Sequence, residues 1–447
     1  MTQQSSTLTF IAEPSVSIHG DITVPGDKSI SHRSIMFGSL AEGVTHIKGF
    51  LPGQDCLATM AAFQAMGIQI EGPDQNNRVT VYGKGLHGLT PPSKTVNVGN
   101  SGTSIRLLSG ILAGQPFAST MIGDASLNKR PMGRVVTPLQ QMQATIQASD
   151  IGTPPVVCQG LDKGKTLTAI DYLLPMASAQ VKSCVLLAGM YADGVTSVTE
   201  PGITRDHTER MLTAFGYPLT IEQTALGTKV SIAGGHTLTA CDIEVPGDIS
   251  SATFFIVAGL IAEQSELIIR NVGMNPTRIG AINILRQMQG DIAIINERMA
   301  GGEPVADIVV KTSQLHGIDI NEADVPLAID EFPAIFIAAA CANGTTRLRG
   351  AKELRVKESD RIQAMADGLT TLSIHCTVYA DGIDIIGGEL GSGTIESFDD
   401  HRIAMAFAIS AIRAKGNVTI HECDNVATSF PNFLTLAKQV GLAITTN

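Results

Sequence analysis

The stretch Val24-Pro-Gly-Asp-Lys-Ser-Ile-Ser-His-Arg33 decides how this chain of 447 residues is organised, because it returns later as Val245-Pro-Gly-Asp-Ile-Ser-Ser251. The two copies are 221 residues apart, and 9 of their first 20 positions are identical. Each copy has a strand-like run, Pro-Gly, then Asp and Ser, then a long apolar segment, which predicts a strand, a turn and a capped helix. The second copy lacks the charges of Lys28 and Arg33. We therefore expect these two cations to serve a ligand.

The same plan recurs, so that the chain contains six predicted helix starts of one type. They lie at residues 27, 100, 177, 248, 330 and 399, at intervals of 73, 77, 71, 82 and 69 residues. Runs with period-2 alternation, such as Val79-Thr-Val-Tyr82, lie between the helical segments and predict strands. The pattern predicts an α/β protein of six similar units, three in each half.

The length of the chain exceeds what one hydrophobic core usually organises. We predict two domains, one formed by residues 1–23 together with 246–447 and the other by residues 24–245. The chain would then cross between the domains twice, once at each Pro-Gly turn. Two such short connections would allow the domains to close on a ligand.

The composition argues against several classes of function. The net charge is -11 and charged residues make up 16% of the chain, with no basic tract to bind nucleic acid or an anionic membrane. The seven cysteines include no Cys-x-x-Cys pair, which predicts free thiols and no zinc site. The start, MTQQSSTLTF, lacks the pattern of a signal peptide, and the longest apolar runs are too short to span a bilayer. We expect a cytoplasmic protein.

Cations concentrate at the predicted helix starts. A helix N-terminus presents unpaired N–H groups and the positive end of the helix dipole, which favour phosphate or carboxylate. Five of the six starts carry or adjoin a cation, and only the start at residue 248 has none. The cations are Lys28, Arg33, Arg106, Arg130, Lys182, Arg205, Lys357, Arg361 and Arg402. Because an acidic chain needs local positive charge to hold an anion, we predict that these side chains bind an anionic substrate.

Carboxylates accompany the cations in two segments. Asp330-Glu331 begins an apolar helix, and Glu358 lies beside Lys357 in a segment of mixed charge. A carboxylate near cations suits acid–base catalysis, and an alternative in which Asp330 only caps the helix stays open. The chain has no motif of P-loop, zinc-peptidase, dinucleotide-binding or nucleophilic-serine proteins. We therefore expect chemistry that depends on cations, carboxylates and positioning, without nucleotide, metal or covalent serine.

Eight short segments together resemble the EPSP synthase (3-phosphoshikimate 1-carboxyvinyltransferase) family. The resemblance runs almost from end to end of the chain, and the combination is far more specific than any single segment. The segments are GDKSISHR (26–33), GNSGTSIR (99–106), KRPMG (129–133), SAQVK (178–182), RDHTE (205–209), IDEFP (329–333), KESDR (357–361) and DHRIAM (400–405).

The resemblance implies a fold and a reaction. The fold is a pair of similar domains, each of three βαβαββ units in an inverse α/β barrel-like arrangement, joined by two crossover strands. The reaction transfers the enolpyruvyl group of phosphoenolpyruvate to the 5-hydroxyl of shikimate 3-phosphate and releases phosphate, by addition and elimination, as a step of the shikimate pathway. The resemblance implies no cofactor and no metal, and we expect a monomer.

The resemblance also implies roles for individual residues. Asp330 is implied as the base that takes the proton of the 5-hydroxyl, and Glu358 as the acid that protonates the methylene carbon, with the choice between Glu358 and Lys28 left open. Shikimate 3-phosphate is implied to contact Lys28, Ser29, Arg33, Ser178, Ala179, Gln180, Arg205, Asp330 and Lys357. Phosphoenolpyruvate is implied to contact Lys28, Asn100, Gly102, Arg130, Gln180, Arg361 and Arg402.

Three segments resemble the second class of the family, whose members tend to tolerate the inhibitor glyphosate. They are SAQVK, RDHTE and Asn275-Pro-Thr-Arg278. Gly102, however, stands where the tolerant form typically has alanine, whose methyl group would crowd the inhibitor. Sensitivity to glyphosate therefore stays open at this point.

Two alternatives compete with this interpretation. The first is the related enzyme that transfers enolpyruvate to UDP-N-acetylglucosamine, but its family has Lys-Asn in the first motif and a reactive cysteine before Arg-Pro. This chain has Lys28-Ser29 and no cysteine between residues 120 and 135. The second is a non-catalytic phosphosugar-binding protein of the same fold, which would be expected to lose its acid–base residues first.

Overall fold

The computed structural model describes residues 7–447. Residues 1–6, which belong to the segment predicted to lack a signal peptide, lie outside the described residues. The chain divides into two units, which we name by their position in the chain. The middle unit is Gly26–Val245, and the outer unit is formed by the chain up to Pro25 together with Pro246–Asn447. The chain therefore passes from one unit to the other within each of the two Val-Pro-Gly turns.

Twelve α-helices occur among the described residues. They are α1 Lys28–Leu40, α2 Gln54–Ala65, α3 Gly102–Ala113, α4 Gly133–Gln141, α5 Ala179–Gly189, α6 His207–Ala214, α7 Ile249–Ile261, α8 Gly280–Gln287, α9 Phe332–Ala340, α10 Arg361–Thr371, α11 His401–Ser410 and α12 Phe433–Gln439.

The strands of the described residues are short and numerous. They are β1 Phe10–Glu13, β2 Ser17–Ile22, β3 Ala41–Lys48, β4 Gln69–Glu71, β5 Val79–Lys84, β6 Val96–Asn97, β7 Ser119–Ile122, β8 Ile146–Gln147, β9 Val156–Cys158, β10 Leu167–Thr168, β11 Asp171–Leu173, β12 Ala192–Asp193, β13 Val195–Glu200, β14 Leu219–Thr224, β15 Gly227–Ala233, β16 Leu238–Thr239, β17 Ile243–Glu244, β18 Gln264–Gly273, β19 Asp291–Ala300, β20 Glu303–Lys311, β21 Thr345–Leu348, β22 His375–Tyr379, β23 Gly382–Ile386, β24 Gly393–Glu396, β25 Val418–His421 and β26 Ala443–Thr446.

Besides the two-stranded sheet β10-β12, the middle unit contains two four-stranded sheets and one five-stranded sheet that share one pairing pattern. In two of them the order is β6-β7-β9-β8 and β11-β13-β15-β14, with the first pair parallel and the others antiparallel. In the third, β3 pairs in parallel with β16 and β17, and antiparallel with β5, which pairs with β4. The last strands of the unit therefore complete its first sheet.

The outer unit repeats this pattern, and the N-terminal strands β1 and β2 belong to two of its sheets. The sheet β19-β20-β18-β2 has the same parallel pair between β18 and β2, and the sheet β24-β25-β1-β26 includes β1. The remaining sheet, β21-β23-β22, is extended by parallel bridges from His316 to Asn343 and from Asp319 to Arg347. Each unit thus consists of three βαβαββ modules, as predicted, and no sheet within residues 7–447 closes into a barrel.

The first helix of each module forms the core of its unit. Every residue of α7 is buried, as is every residue of α9, because both sequences are apolar on all sides, which is the pattern of a central helix. Helices α3 and α5 lie close together in the middle unit, where a Cβ atom on Gly110 would be 2.2 Å from the carbonyl oxygen of Cys184. The predicted site residues occupy the N-terminal turns of these central helices, or the loops beside them.

Asp307 connects two irregular points of the sheet β19-β20-β18-β2. The register of β18 against β20 shifts between Ile269 and Val272, and that of β19 shifts between Ile295 and Arg298. The Asp307 carboxylate lies between these bulges and accepts hydrogen bonds from the Asn271 amide at 2.9 Å and from the Asn296 side chain at 3.0 Å. Arg270 Nη1 donates a third bond at 2.9 Å.

The Asp307 carboxylate is expected to contribute to stability in a pH-dependent way. Burial alone would raise its pKa, but the Asn271 amide, the Asn296 side chain and the Arg270 guanidinium outweigh burial and lower the pKa to about 2. A carboxylate whose folded-state pKa is depressed stabilises the fold above its unfolded pKa, and this contribution is lost as the pH falls through the folded value. We expect Asp307→Asn to lower the free energy of unfolding by about 2 kcal/mol at pH 7.

Urea unfolding of the wild type and the variant at several pH values measures this effect. The difference should shrink as the pH approaches 2. Asp319→Asn is the matched control, because Asp319 pairs with Arg347 at the exposed surface, where an ion pair contributes little. A constant difference between pH 7 and pH 2, or an equal loss in Asp319→Asn, would show that the charge of Asp307 is not what stabilises the sheet.

Candidate active site

The start of α1 places Lys28 and Arg33 in different surroundings. Asp27 caps the helix through a 2.9 Å bond from the Ile30 amide, and Lys28 forms an ion pair with Asp55 of α2. Lys28 keeps 22% of its side chain exposed, whereas Arg33 is buried one turn further along. Lys28 is therefore the cation of this helix that solvent reaches more easily.

The buried guanidinium of Arg33 is held by hydroxyl groups. Its Nε donates to Thr208 Oγ1 at 2.8 Å, its Nη2 to Ser183 Oγ at 3.0 Å, and its Nη1 to the carbonyl oxygen of Ser29 at 3.1 Å. The structure thus brings α5 and α6 against α1 at this point. Burial, together with the charges of Lys28 and Arg33, lowers the pKa of the neighbouring His32 well below its ordinary value, so that this histidine stays neutral.

The starts of α3 and α5 meet through Gln180. Its Oε1 accepts a 2.7 Å bond from Arg106 Nη1, and its Nε2 donates to Thr103 Oγ1 at 3.1 Å. Ser101 and Ser178 cap the two helices. Two helix N-termini, a guanidinium group and an amide therefore lie side by side, and such an arrangement suits an anion.

Arg130, on the loop that precedes α4, lies beside the start of α3. Its Nη2 donates to Asn100 Oδ1 at 2.7 Å, and Asn100 Nδ2 donates in turn to Asp124 Oδ2 at 2.7 Å. Gly102 begins the helix next to these groups: a Cβ atom there would lie 2.8 Å from Arg106 Nη1 and 3.3 Å from Arg130 Nη1. The absence of a side chain at residue 102 leaves room for both guanidinium groups.

Lys182, in the first turn of α5, is almost completely buried. Its Nζ contacts Glu209 Oε1 at 2.6 Å and Glu200 Oε1 at 2.9 Å. Burial would lower the pKa of Lys182, but the two carboxylates outweigh it and raise the pKa above its ordinary value, so the side chain stays charged. The charge of Lys182 is therefore used inside the protein, to hold Glu200 and Glu209 against α5, and is not offered to a ligand. The nearby Arg205, in contrast, is only half-buried.

In the outer unit, Arg361 is the centre of a cluster of carboxylates. Its guanidinium group is 1% exposed and contacts Asp400 Oδ2 at 2.8 Å, Glu358 Oε2 at 2.7 Å and Asp330 Oδ1 at 3.4 Å. Burial would lower the pKa of Arg361, but Asp400 and Glu358 raise it above its ordinary value. Burial likewise opposes ionisation of Asp400, yet Arg361 keeps the pKa of this carboxyl group below its ordinary value.

Asp330 lies at the edge of this cluster, where 16% of its side chain is exposed. Its Oδ1 is 3.4 Å from Lys357 Nζ as well as from Arg361 Nη1, and its backbone oxygen accepts a 2.9 Å bond from Arg402 Nη1. The N-cap of α9 is Glu331, so Asp330 does not cap this helix. The structure therefore brings together Asp330, Lys357, Glu358, Arg361 and Arg402, all of which were predicted as site residues.

A cation lies at the start of α7, although the sequence indicated none there. Arg278 reaches this helix start from the loop before α8, with Nη2 at 2.8 Å from Ser250 Oγ and 3.2 Å from Asp248 Oδ1. Glu331 joins the same buried group by accepting a bond from Ser250. Arg278 stood in the sequence only as part of Asn275-Pro-Thr-Arg278, and no local pattern in that segment indicated that its side chain reaches the start of α7.

The described part of the chain contains neither a metal-binding cluster of three ligands nor a helix suited to span a membrane. No group of three His, Cys, Asp or Glu side chains within residues 7–447 is arranged to hold a metal ion. No helix among the same residues is long and apolar enough to cross a membrane. What these residues offer chemically is fixed positive charge, helix N-termini and carboxylates.

Comparison with solved structures gives the class of protein. The chain superimposes with a TM-score of 0.88 on an EPSP synthase from Acinetobacter baumannii, with 56% identity over 99% of this chain and 100% of the other. It also matches the enolpyruvyl transferase NikO from Streptomyces tendae, with a TM-score of 0.76 at 15% identity, which shows the fold alone. The fold is therefore that of the enolpyruvyl transferases.

Comparison of sequences narrows the class to one family. The model of the family EPSP synthase (3-phosphoshikimate 1-carboxyvinyltransferase) matches residues 12–436. A 3-phosphoshikimate 1-carboxyvinyltransferase from Methylococcus capsulatus is 58% identical over 97% of this chain and 98% of its own length. One from Hydrogenovibrio crunogenus is 56% identical over 99% of both chains. The chain belongs to the EPSP synthase family.

Proposed function

We propose that this chain transfers the enolpyruvyl group of phosphoenolpyruvate to the 5-hydroxyl of shikimate 3-phosphate, and that the predicted site residues serve the reaction. Membership of the family supports the activity, and the clusters of charge described above support the roles of the residues. The observation that carries the proposal is the cluster around Arg361. It holds two partly exposed carboxylates, Asp330 and Glu358, beside fixed cations.

The acceptor is assigned mainly to the middle unit. Ser178, Ala179, Gln180 and Arg205 hold the 3-phosphate, because the start of α5 offers backbone N–H groups and Arg205 offers a fork of donors. Lys28, Ser29 and Arg33 line the ring side of the same substrate. The guanidinium group of Arg33 is already bonded to Thr208 and Ser183, so Arg33 serves the substrate mainly by holding these neighbouring residues in place. Asp330 and Lys357 are assigned to the reacting hydroxyl.

The donor is assigned to residues of both units. Asn100, Gly102, Arg130, Gln180 and Lys28 serve it from the middle unit. Arg361 and Arg402 serve it from the outer unit. Guanidinium groups suit both ends of phosphoenolpyruvate, because their paired N–H groups bind carboxylate and phosphate in a bidentate manner.

The chemistry requires an acid and a base. Asp330 takes the proton of the 5-hydroxyl while the hydroxyl oxygen attacks C2 of phosphoenolpyruvate. A second proton is delivered to the methylene carbon C3. Glu358, with Lys28 as the other candidate, delivers that proton. The group that protonated C3 then takes a proton back from the new methyl group as phosphate departs, and the double bond is restored. Cations next to Asp330 favour its carboxylate form before the proton is taken, and Glu358 stabilises positive charge that develops at C2.

A phosphate-release assay with two acceptors tests the proposed function. We expect phosphate to be released from phosphoenolpyruvate with shikimate 3-phosphate and not with UDP-N-acetylglucosamine. Release only with UDP-N-acetylglucosamine would establish the related enzyme instead. Calorimetric binding of shikimate 3-phosphate without any phosphate release would establish a binding protein of this fold.

Gly102→Ala tests the assignment of the donor site. The new methyl group would crowd the ends of Arg106 and Arg130, which are flexible, so the protein should fold and the guanidinium groups should shift. We expect the KM for phosphoenolpyruvate to rise about tenfold, the cost of one weakened charge-assisted hydrogen bond. The KM for shikimate 3-phosphate should change little.

Gly133→Ala is the matched control for this variant. A Cβ atom at Gly133, at the start of α4, would meet nothing within 4 Å. Both KM values should therefore stay at the wild-type level. The assignment of Gly102 to the donor is wrong if Gly102→Ala raises the two KM values equally.

We also propose that the chain acts as a monomer in the cytoplasm. All residues assigned to the two substrates come from one chain. The seven cysteines are free thiols, a state that a reducing compartment maintains. Light scattering during size-exclusion chromatography should give the mass of one chain with and without substrates, and a mass twice as large would contradict the monomer.

A further inference from the structure

Glu200 is a buried carboxylate at the end of β13, outside the segments that resemble known substrate-binding motifs. Its two oxygens have different partners. Oε1 accepts a 2.9 Å bond from Lys182 of α5, and Oε2 accepts a bond from the hydroxyl group of Thr204. One side chain therefore connects helix α5 to the loop of residues 201–206.

Both segments carry residues assigned to the 3-phosphate. Lys182 lies in the turn of α5 that follows Ser178, Ala179 and Gln180. Thr204 directly precedes Arg205. The connection through Glu200 thus determines where the Arg205 loop lies relative to the start of α5.

Charge neutralisation alone does not account for Glu200. Lys182 already has a carboxylate partner, Glu209 Oε1, at 2.6 Å. One ammonium group compensates one carboxylate, and a second buried carboxylate costs desolvation energy that stability does not require. Glu200 also accepts a hydrogen bond from Thr204, and this bond connects Lys182 to a second segment. Glu209 makes no such connection, because within the described residues its Oε2 has no hydrogen-bond partner.

We propose that Glu200 and Thr204 are positioning residues for the acceptor phosphate: their bond holds the Arg205 loop against the start of α5 and so determines affinity for shikimate 3-phosphate. The inference rests on the proposed assignment of Arg205 and the start of α5 to that phosphate. Neither residue touches the reacting atoms. Their loss should therefore weaken acceptor binding and leave the chemical step intact.

Thr204→Val is the cleanest test, because valine keeps the size of threonine, removes only the hydroxyl donor and leaves every buried charge in place. We expect the KM for shikimate 3-phosphate to rise about tenfold, the cost of one buried hydrogen bond. The kcat and the KM for phosphoenolpyruvate should stay within about twofold of the wild type. Glu200→Gln should give the same separation of effects.

Glu209→Gln is the matched control. It also removes one of the two carboxylates that contact Lys182, but it leaves the bond between Glu200 and Thr204 intact. Its KM for shikimate 3-phosphate should remain at the wild-type level, whatever its midpoint of thermal unfolding. A purely structural role of the cluster would instead change both KM values and the thermal midpoint together in Glu200→Gln and Glu209→Gln.

Arg205→Ala separates failure of this inference from failure of the site assignment. If Arg205→Ala raises the KM for shikimate 3-phosphate while Thr204→Val and Glu200→Gln leave it within twofold of the wild type, the positioning role is wrong and the phosphate pocket stands. If Arg205→Ala also has no effect, the assigned pocket is wrong, and the positioning role falls with it.

Discussion

Asp330→Asn is expected to lower kcat by about 10²- to 10⁴-fold, which is the contribution of a well-placed general base. Asparagine has nearly the same shape but cannot take the proton of the 5-hydroxyl. The Arg402 bond to the backbone oxygen of residue 330 does not depend on the side chain, so the local fold should persist. Loss of the negative charge leaves Lys357 and Arg361 less compensated, and the KM for phosphoenolpyruvate should therefore stay constant or fall.

Steady-state phosphate release with both substrates varied measures this effect. Asp360→Asn is the control, because Asp360 lies in the same charged segment but caps α10 and pairs with Arg355. That variant should keep its turnover and lose no more than about 1 kcal/mol of stability, because asparagine still caps the helix and only the partly exposed ion pair with Arg355 is lost. A kcat for Asp330→Asn within tenfold of the wild type would remove Asp330 from the chemical step.

Glu358→Gln is expected to keep the binding of both substrates and to lose most of its turnover, by about 10²-fold or more. Glutamine can neither donate the proton to C3 nor provide negative charge near C2. Its amide oxygen can still accept the bond that Arg361 Nη2 now donates to Glu358 at 2.7 Å. The cluster around Arg361 should therefore stay folded, with Asp400 as its buried partner.

Calorimetry for binding and rapid-quench measurement of a single turnover separate the two effects. Glu353→Gln is the matched control, since Glu353 pairs with Lys357 Nζ at 3.0 Å but lies at the more exposed end of the segment. It should turn over at nearly the wild-type rate. Near-normal single turnover in Glu358→Gln would leave Lys28 as the acid.

The sequence predicted the repeated architecture well because the signals for it are local. A polar cap, an apolar helix and a small-residue stop recur at intervals of similar length, and each of these features acts within a few residues. The structure places the caps at Asp27, Ser101, Ser178, Asp248, Glu331 and Asp400, within one residue of the predicted starts.

The partners of the predicted cations could not be obtained in the same way. Arg33 bonds to Ser183 across 150 residues, and Lys182 is enclosed by two carboxylates from other elements. Which cation faces solvent and which is buried depends on packing between distant segments, which a local pattern does not contain. For this reason the sequence grouped Lys182 with the ligand-binding cations, and gave no indication of Arg278 at the start of α7.

Solvent isotope incorporation tests most directly the claim that the cluster around Arg361 performs an addition followed by an elimination. If a protein group protonates C3, the intermediate carries a methyl group, and removal of one of its three hydrogens leaves solvent hydrogen in the product. Mass spectrometry of the product made in D₂O should therefore show deuterium in its methylene group, and Glu358→Gln should lower phosphate release and deuterium incorporation together. Product formed at the full rate without any deuterium would contradict the proposed chemistry of Asp330 and Glu358.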